Sequence, residues 1–130
     1  MRGIGAAVLV VWLAACASIS VNSSDEDKRK VATERASTRW VLIIKGDPGA
    51  AYDEFMSAGS RLVITRGEFV ERMRTTAFRT ATVDRVECGA QSCQLSVPIT
   101  YDHKLMKGVP NTLRENWIIE KGNIWYVWSP

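Results

Sequence analysis

Cys93-Gln94-Leu95-Ser96-Val97-Pro98-Ile99-Thr100-Tyr101 alternates apolar and polar side chains. A strand sends successive side chains to opposite faces, so Leu95, Val97, Ile99 and Tyr101 share one face. Pro98 cannot donate to a ladder and marks an edge or a bulge. This period of two decides the fold, because residues 25–76 carry a different one. Ala32, Ala36, Trp40, Ile43 and Ile44 recur at spacings of three and four, the signature of one helical face. The chain therefore passes from helices to strands.

The helical half is punctuated. Ser23-x-x-Glu26 predicts a capped helix start, with the helix running over 25–45 and ending at Gly46. Asp47 then caps a second helix, and Pro48 suits its first position. Ala51, Tyr52 and Phe55 form its inner face until Gly59-Ser60 breaks it. Thr65-x-x-Glu68 is a second capping box, and Ile64 with Phe69 makes a hydrophobic staple. This third helix is predicted to reach Thr76, with Phe69, Val70 and Met73 inward. Residues 77–88, rich in Thr and Val, read as a strand, followed by the alternating strand over 93–103. Residues 104–111, with Gly108 and Pro110, read as a loop. Residues 113–120 and 124–128 complete a hairpin across Lys121-Gly122-Asn123. The expectation is an α+β domain over 25–130: three N-terminal helices packed on a curved four-stranded antiparallel sheet.

The N-terminus has a different character. Arg2 precedes an apolar run from Ile4 to Leu13, followed by Ala14-Ala15-Cys16. About ten apolar residues suit a signal peptide and fall well short of the ~20 that cross a bilayer. Ala15-Cys16-Ala17 also fits ordinary signal cleavage without lipid, so that reading stays beside the preferred one. The preferred one follows from a resemblance. Leu13-Ala14-Ala15-Cys16 resembles the lipobox of bacterial lipoproteins. It implies removal of residues 1–15, a diacylglyceryl thioether on Cys16, and a membrane anchor on the mature chain. Residues 16–24 would be the lipidated tether. Ala17, in place of aspartate after the cysteine, implies an outer-membrane address in a Gram-negative host, facing the periplasm.

Composition bounds the partners. The formal charge of +3 falls to +2 without Arg2, too little for a nucleic-acid binder. Lys28-Arg29-Lys30 is the densest basic cluster, but Asp25-Glu26-Asp27 precedes it, and a solvated helix start is preferred to a lipid-headgroup patch. With Cys16 assigned to lipid, Cys88 and Cys93 are an even pair in an oxidising compartment, and a disulfide is expected. Gly89-Ala90-Gln91-Ser92 between them reads as a hairpin loop, and directly opposed strand residues have the separation that a bridge needs. The spacing is not C-x-x-C, which disfavours a redox-active pair. His103 is the only histidine, so neither a metal nor another cofactor is expected.

Trp40, Gly46-Asp47, Ala51-Tyr52, Phe55, Arg61, Trp117 and the closing Gly122-Asn123-Ile124-Trp125-Tyr126-Val127 stand in an order that resembles the superfamily named for nuclear transport factor two. The resemblance covers about residues 28–128. It implies a cone-like fold, a sheet wrapped on helices with a pocket between them. Some members are isomerases or dehydratases with acidic or histidine residues in that pocket. No stretch here matches a catalytic motif, and no catalytic residue is carried over.

If the chain were an enzyme, its acid or base would come from Asp84, Asp102, His103 and Glu120, the titratable groups on predicted strands. By phase or position each reads as a surface residue. Tyr52 and Tyr101 could line a pocket, but core packing is preferred. The segment Ile124-Trp125-Tyr126-Val127-Trp128 is apolar on both faces. With Ile124, Tyr126 and Trp128 on the helices, Trp125 and Val127 look outward beside Ile118. They become candidate interface residues for a second copy or an envelope protein. The expectation is a membrane-anchored, non-catalytic module binding a partner or a ligand. The alternative is an isomerase, dehydratase or hydrolase acting on a small apolar ligand in the cone.

Overall fold

The computed structural model describes Gly3 and residues 18–130. Cys16 and the leader lie outside the described residues.

The chain folds in the α+β order expected: helices first, then one antiparallel sheet curled into a half-barrel around them. Helix α1 spans Asp25–Lys45. Its N-cap is Ser24, whose hydroxyl accepts from the Asp27 amide, one residue later than the capping box suggested. Three acidic residues in its first turn complement the helix dipole. Gly46 ends α1 in the left-handed region at φ 97°, where a side chain would be strained. Helix α2 spans Pro48–Phe55, capped by Asp47 as expected.

There are four helices among the described residues, not three. Gly59-Ser60 does not simply break the chain. Ser57 caps a single extra turn, α3 (Ala58–Arg61), by accepting from the Ser60 amide. Helix α4 spans Arg66–Arg74, with Thr65 as its cap and Thr75 ending it just short of Thr76. Phe69 is fully buried, while Val70 and Met73 are half-buried. Ile44, placed on the buried face of α1 from sequence, is exposed. Successive helical residues are 100° apart, and Ile43 already occupies the contact.

The sheet has five strands rather than four. The predicted strand over 77–88 divides into β1 (Ala77–Ala81) and β2 (Arg85–Cys88), both paired with β3 (Ser92–His103). A bulge between Phe78 and Thr80 turns β1 away, and residues 82–84 bridge the gap. Pro98 faces that gap. Its carbonyl accepts from Thr82, and its missing N–H falls where no regular ladder runs. The predicted loop over 104–111 is mostly strand. Lys104 at φ 53° and Gly108 at φ 65° absorb the bends, so β4 starts at once and runs Met106–Glu120. Pro110 lies within β4, opposite Thr100. Lys121 and Gly122, both at positive φ, make a two-residue turn into β5 (Asn123–Val127).

The core lies between α1, α2, α4 and the inner face of the sheet. Leu95, Val97 and Ile99 point inward as the alternation requires, with Trp117, Ile119, Ile124 and Tyr126 beside them. The edge of β5 is covered. Arg35 Nε donates to Ile124 O, Ser57 N donates to Tyr126 O, and Trp128 N donates to Ser60 Oγ. Closing an edge in this way denies it to another strand.

The segment expected to be a free tether is not free. Ile19 is 5% exposed and belongs to the core, and its amide donates to Gly122 O at 3.0 Å.

Candidate functional site

Two places could carry function: the interior of the curled sheet and its outer face.

Among the described residues the interior holds one carboxylate, Glu115, 5% exposed. On β4 it is in phase with Leu113 and Trp117, opposite Leu95, so the pleat turns it inward. Its Oε2 accepts from Trp40 Nε1 at 2.8 Å and from Arg39 Nη1 at 3.3 Å. Its Oε1 accepts from Trp117 Nε1 at 3.0 Å. Arg39 reaches it from α1, 2% exposed, with its guanidinium 3.6 Å from the Tyr126 ring centre. Burial pushes the Tyr126 phenol up, so the ring is neutral beside the pair. Around this group Phe55, Trp117 and Tyr126 meet edge to face. Among the described residues no buried side-chain polar atom lacks a partner. A carboxylate held by three donors and walled by aromatics organises a core. Its three donors take three of the roughly four lone-pair sites of a carboxylate, and aromatic rings pack around the group.

None of the candidate acids and bases joins Glu115. Asp84 is exposed, and half-buried Val83 takes the core side. His103 is exposed at the end of β3. Glu120 is half-buried beside the β4–β5 turn. Asp102 is half-buried. Its Oδ1 accepts from the Gly108 amide at 2.9 Å and its Oδ2 from Arg79 Nε at 2.6 Å. The amide and then the guanidinium hold its carboxyl below the usual range. It fastens the base of the β3–β4 turn. Tyr52 is buried and donates its hydroxyl to Ile64 O, while Tyr101 packs half-buried opposite Val109.

Cys88 and Cys93 form a disulfide. They are directly opposed in the β2–β3 hairpin with α-carbons 4.0 Å apart. Lys28, read as part of a solvated cluster, is instead 2% exposed. Its Nζ donates to Val21 O, Gly89 O and Ala90 O, fastening the disulfide loop to the helix start. Its charge is satisfied by carbonyl dipoles, which lets the stem pack as a hydrocarbon.

The interface candidates Trp125 and Val127 lie on the outer side of β5. Trp125 pairs with Ile118 and Val127 with Asn116, so Trp125, Val127 and Ile118 share the outward side. All three are half-buried. Trp125 is more engaged than an open face would leave it: its Nε1 donates to Glu120 O, and Arg35 stacks 4.9 Å from its ring centre. An open cleft of about 280 Å³ runs beside Val127, lined by Val63, Ile118, Trp128 and Ser60. Val63, which lines the cleft, is 75% exposed, and its neighbour Leu62 is 90% exposed; sequence singled out neither. Their adjacency to Ile64, which is buried, is the only signal the sequence offered.

No family model, curated protein or solved structure matches the chain.

Proposed function

We propose that the chain is a lipid-anchored module of a bacterial envelope, tethered through Cys16, that works by binding an envelope protein rather than by chemistry of its own. The observation that carries this is the apolar lining of an open cleft, Val63, Ile118, Val127 and Trp128, with exposed Leu62 next to Val63 in the chain. Tryptophan is favoured as an interface anchor, and the exposed Leu62 and Val63 extend the apolar surface beside it. The resemblance to the nuclear transport factor two superfamily rests on the residues that suggested it. The alternative, catalysis or ligand carriage inside the cone, is disfavoured by the three donors that hold Glu115 and by the aromatics packed around it.

The test is site-specific photo-crosslinking in native envelopes. A photoreactive residue at Val63 or Val127 should give one discrete adduct, and one at Thr112 on the polar part of the same face should not. Val63→Asp should abolish the Val127 adduct. Identical patterns from all three positions would reject the outer-face reading. Cys16→Ser should release an unacylated form. Finding wild-type Cys16 unmodified by mass spectrometry would reject the anchor.

A further inference from the structure

The polypeptide ahead of α1 is strapped to the sheet. Ile19 fills a core position, its amide donates to Gly122 O at 3.0 Å, and Ser18 lies against Gly122. Ser20 and Ser23 close a turn on each other, and Lys28 Nζ holds Val21 O at 2.9 Å. Every residue from Ser18 to α1 is thus fixed or tied to a fixed neighbour. Cys16 stands two residues before Ser18. Two extended residues reach at most about 7 Å.

We propose that this end of the domain rests directly on the phospholipid surface, in one orientation. The surface consists of the strap at residues 18–22, the Lys121–Gly122 turn and the loop at residues 89–91. The proposal depends on lipidation of Cys16, the reading given above. The three segments form one platform, because Ile119 N donates to Gln91 O and Lys28 joins Gly89 and Ala90 to Val21. Their side chains suit a headgroup layer. Ser18, Ser20, Asn22 and Gln91 are polar and uncharged, Val21 is exposed, and Lys121 offers a cation to lipid phosphate. Asp25, Glu26 and Asp27 follow in the first turn of α1, so net charge does not drive the docking. The short covalent reach does. The orientation follows from β4, whose 15 residues rise up to about 50 Å from the turn at Glu120 to Met106. The β3–β4 tip, with Leu105 99% exposed, points away from the membrane.

The acylated full-length protein, reconstituted in vesicles of phosphatidylethanolamine and phosphatidylglycerol, provides the test. A donor dye on Lys121→Cys or Leu105→Cys is paired with an acceptor on the lipid headgroups. Energy transfer should be several-fold stronger from position 121. A long Gly/Ser stretch inserted between Ala17 and Ser18 should bring the two values together, and Ile19→Ser should move them in the same direction. Equal transfer from both positions without the insertion, in protein shown by mass spectrometry to be acylated and seen to float with the vesicles, overturns the apposed orientation and leaves the lipoprotein reading standing. Protein that is neither acylated nor floating overturns both.

Discussion

Glu115 shows how much a single buried side chain organises. It collects Arg39 from α1, Trp40 from the same helix and Trp117 from its own strand. Glu115→Ala would leave the Arg39 charge buried and two indole N–H groups unpaired, so it should cost about 3–5 kcal/mol. Arg39→Met combined with Glu115→Gln should recover much of that loss, because no charge remains and the amide oxygen still accepts from an indole. Urea unfolding of the single and double variants measures both; equal losses would mean that the buried charge is not the dominant cost. Asp102 works in the other direction, at the surface. Its carboxyl is held below the ordinary Asp value of about 3.9 by the Gly108 amide and by Arg79. A lowered folded value means that the ionised form supports the turn fully above the ordinary range. That support is lost as pH falls through the depressed value. The Gly108 amide resonance should therefore titrate below the ordinary Asp range, and Asp102→Asn should abolish the titration. A Gly108 transition at the ordinary Asp value would remove the hydrogen bond from the account.

At the scale of elements, local punctuation was readable and long-range partnership was not. Gly46-Asp47-Pro48 and the Thr65–Glu68 box define helix ends through bonds within four residues, so the end of α1 and the starts of α2 and α4 could be read directly. The division of 77–88 into two strands depends on a bulge against β3, and the early start of β4 depends on a two-residue turn that Gly108 and Pro110 disguise as a loop. The buried charges were legible in phase, if not in chemistry. Lys28 lies four residues before Ala32, Arg39 three after Ala36, and Glu115 two before Trp117, each on an apolar stripe. What they bond to comes from another element, which no periodicity reveals. The outer position of Trp125 and Val127 followed from alternation alone, whereas the exposure of Leu62 and Val63 did not. The disulfide belongs to both classes. The Cys88–Cys93 pairing was readable because hairpin residues are opposed, but Lys28 beneath the loop was not. Replacing both cysteines with alanine should lower stability by about 2 kcal/mol, the modest effect of closing a short loop. The fold should survive, since Lys28 still holds Gly89 O and Ala90 O. Loss of cooperative unfolding in that variant would show that the bridge, not the packing, maintains the hairpin.

For the molecule as a whole, the decisive residue is one that looked like linker. Residues 17–24 are small and polar except for Ile19 and Val21, and a tether is what that composition suggests. Ile19 nevertheless enters the core that α1 and the sheet leave open, and it packs part of the segment read as tether, residues 16–24, onto the domain expected over 25–130. Two versions of the unlipidated domain separate these descriptions. One covers residues 18–130 and the other 24–130. The shorter chain exposes the core position of Ile19 and removes one of the three carbonyls that hold Lys28 Nζ. Burying an Ile side chain contributes about 1.5–3 kcal/mol, so the shorter chain should be less stable by about 2 kcal/mol. That corresponds to a midpoint lower by about 10 °C for a domain of this size. Val21 supplies a backbone carbonyl only, so Val21→Ser should not reproduce the loss, while Ile19→Ser within 18–130 should reproduce most of it. Equal melting midpoints for the two lengths would return residues 18–23 to the role of a flexible leash. The domain would then be free to swing from its anchor.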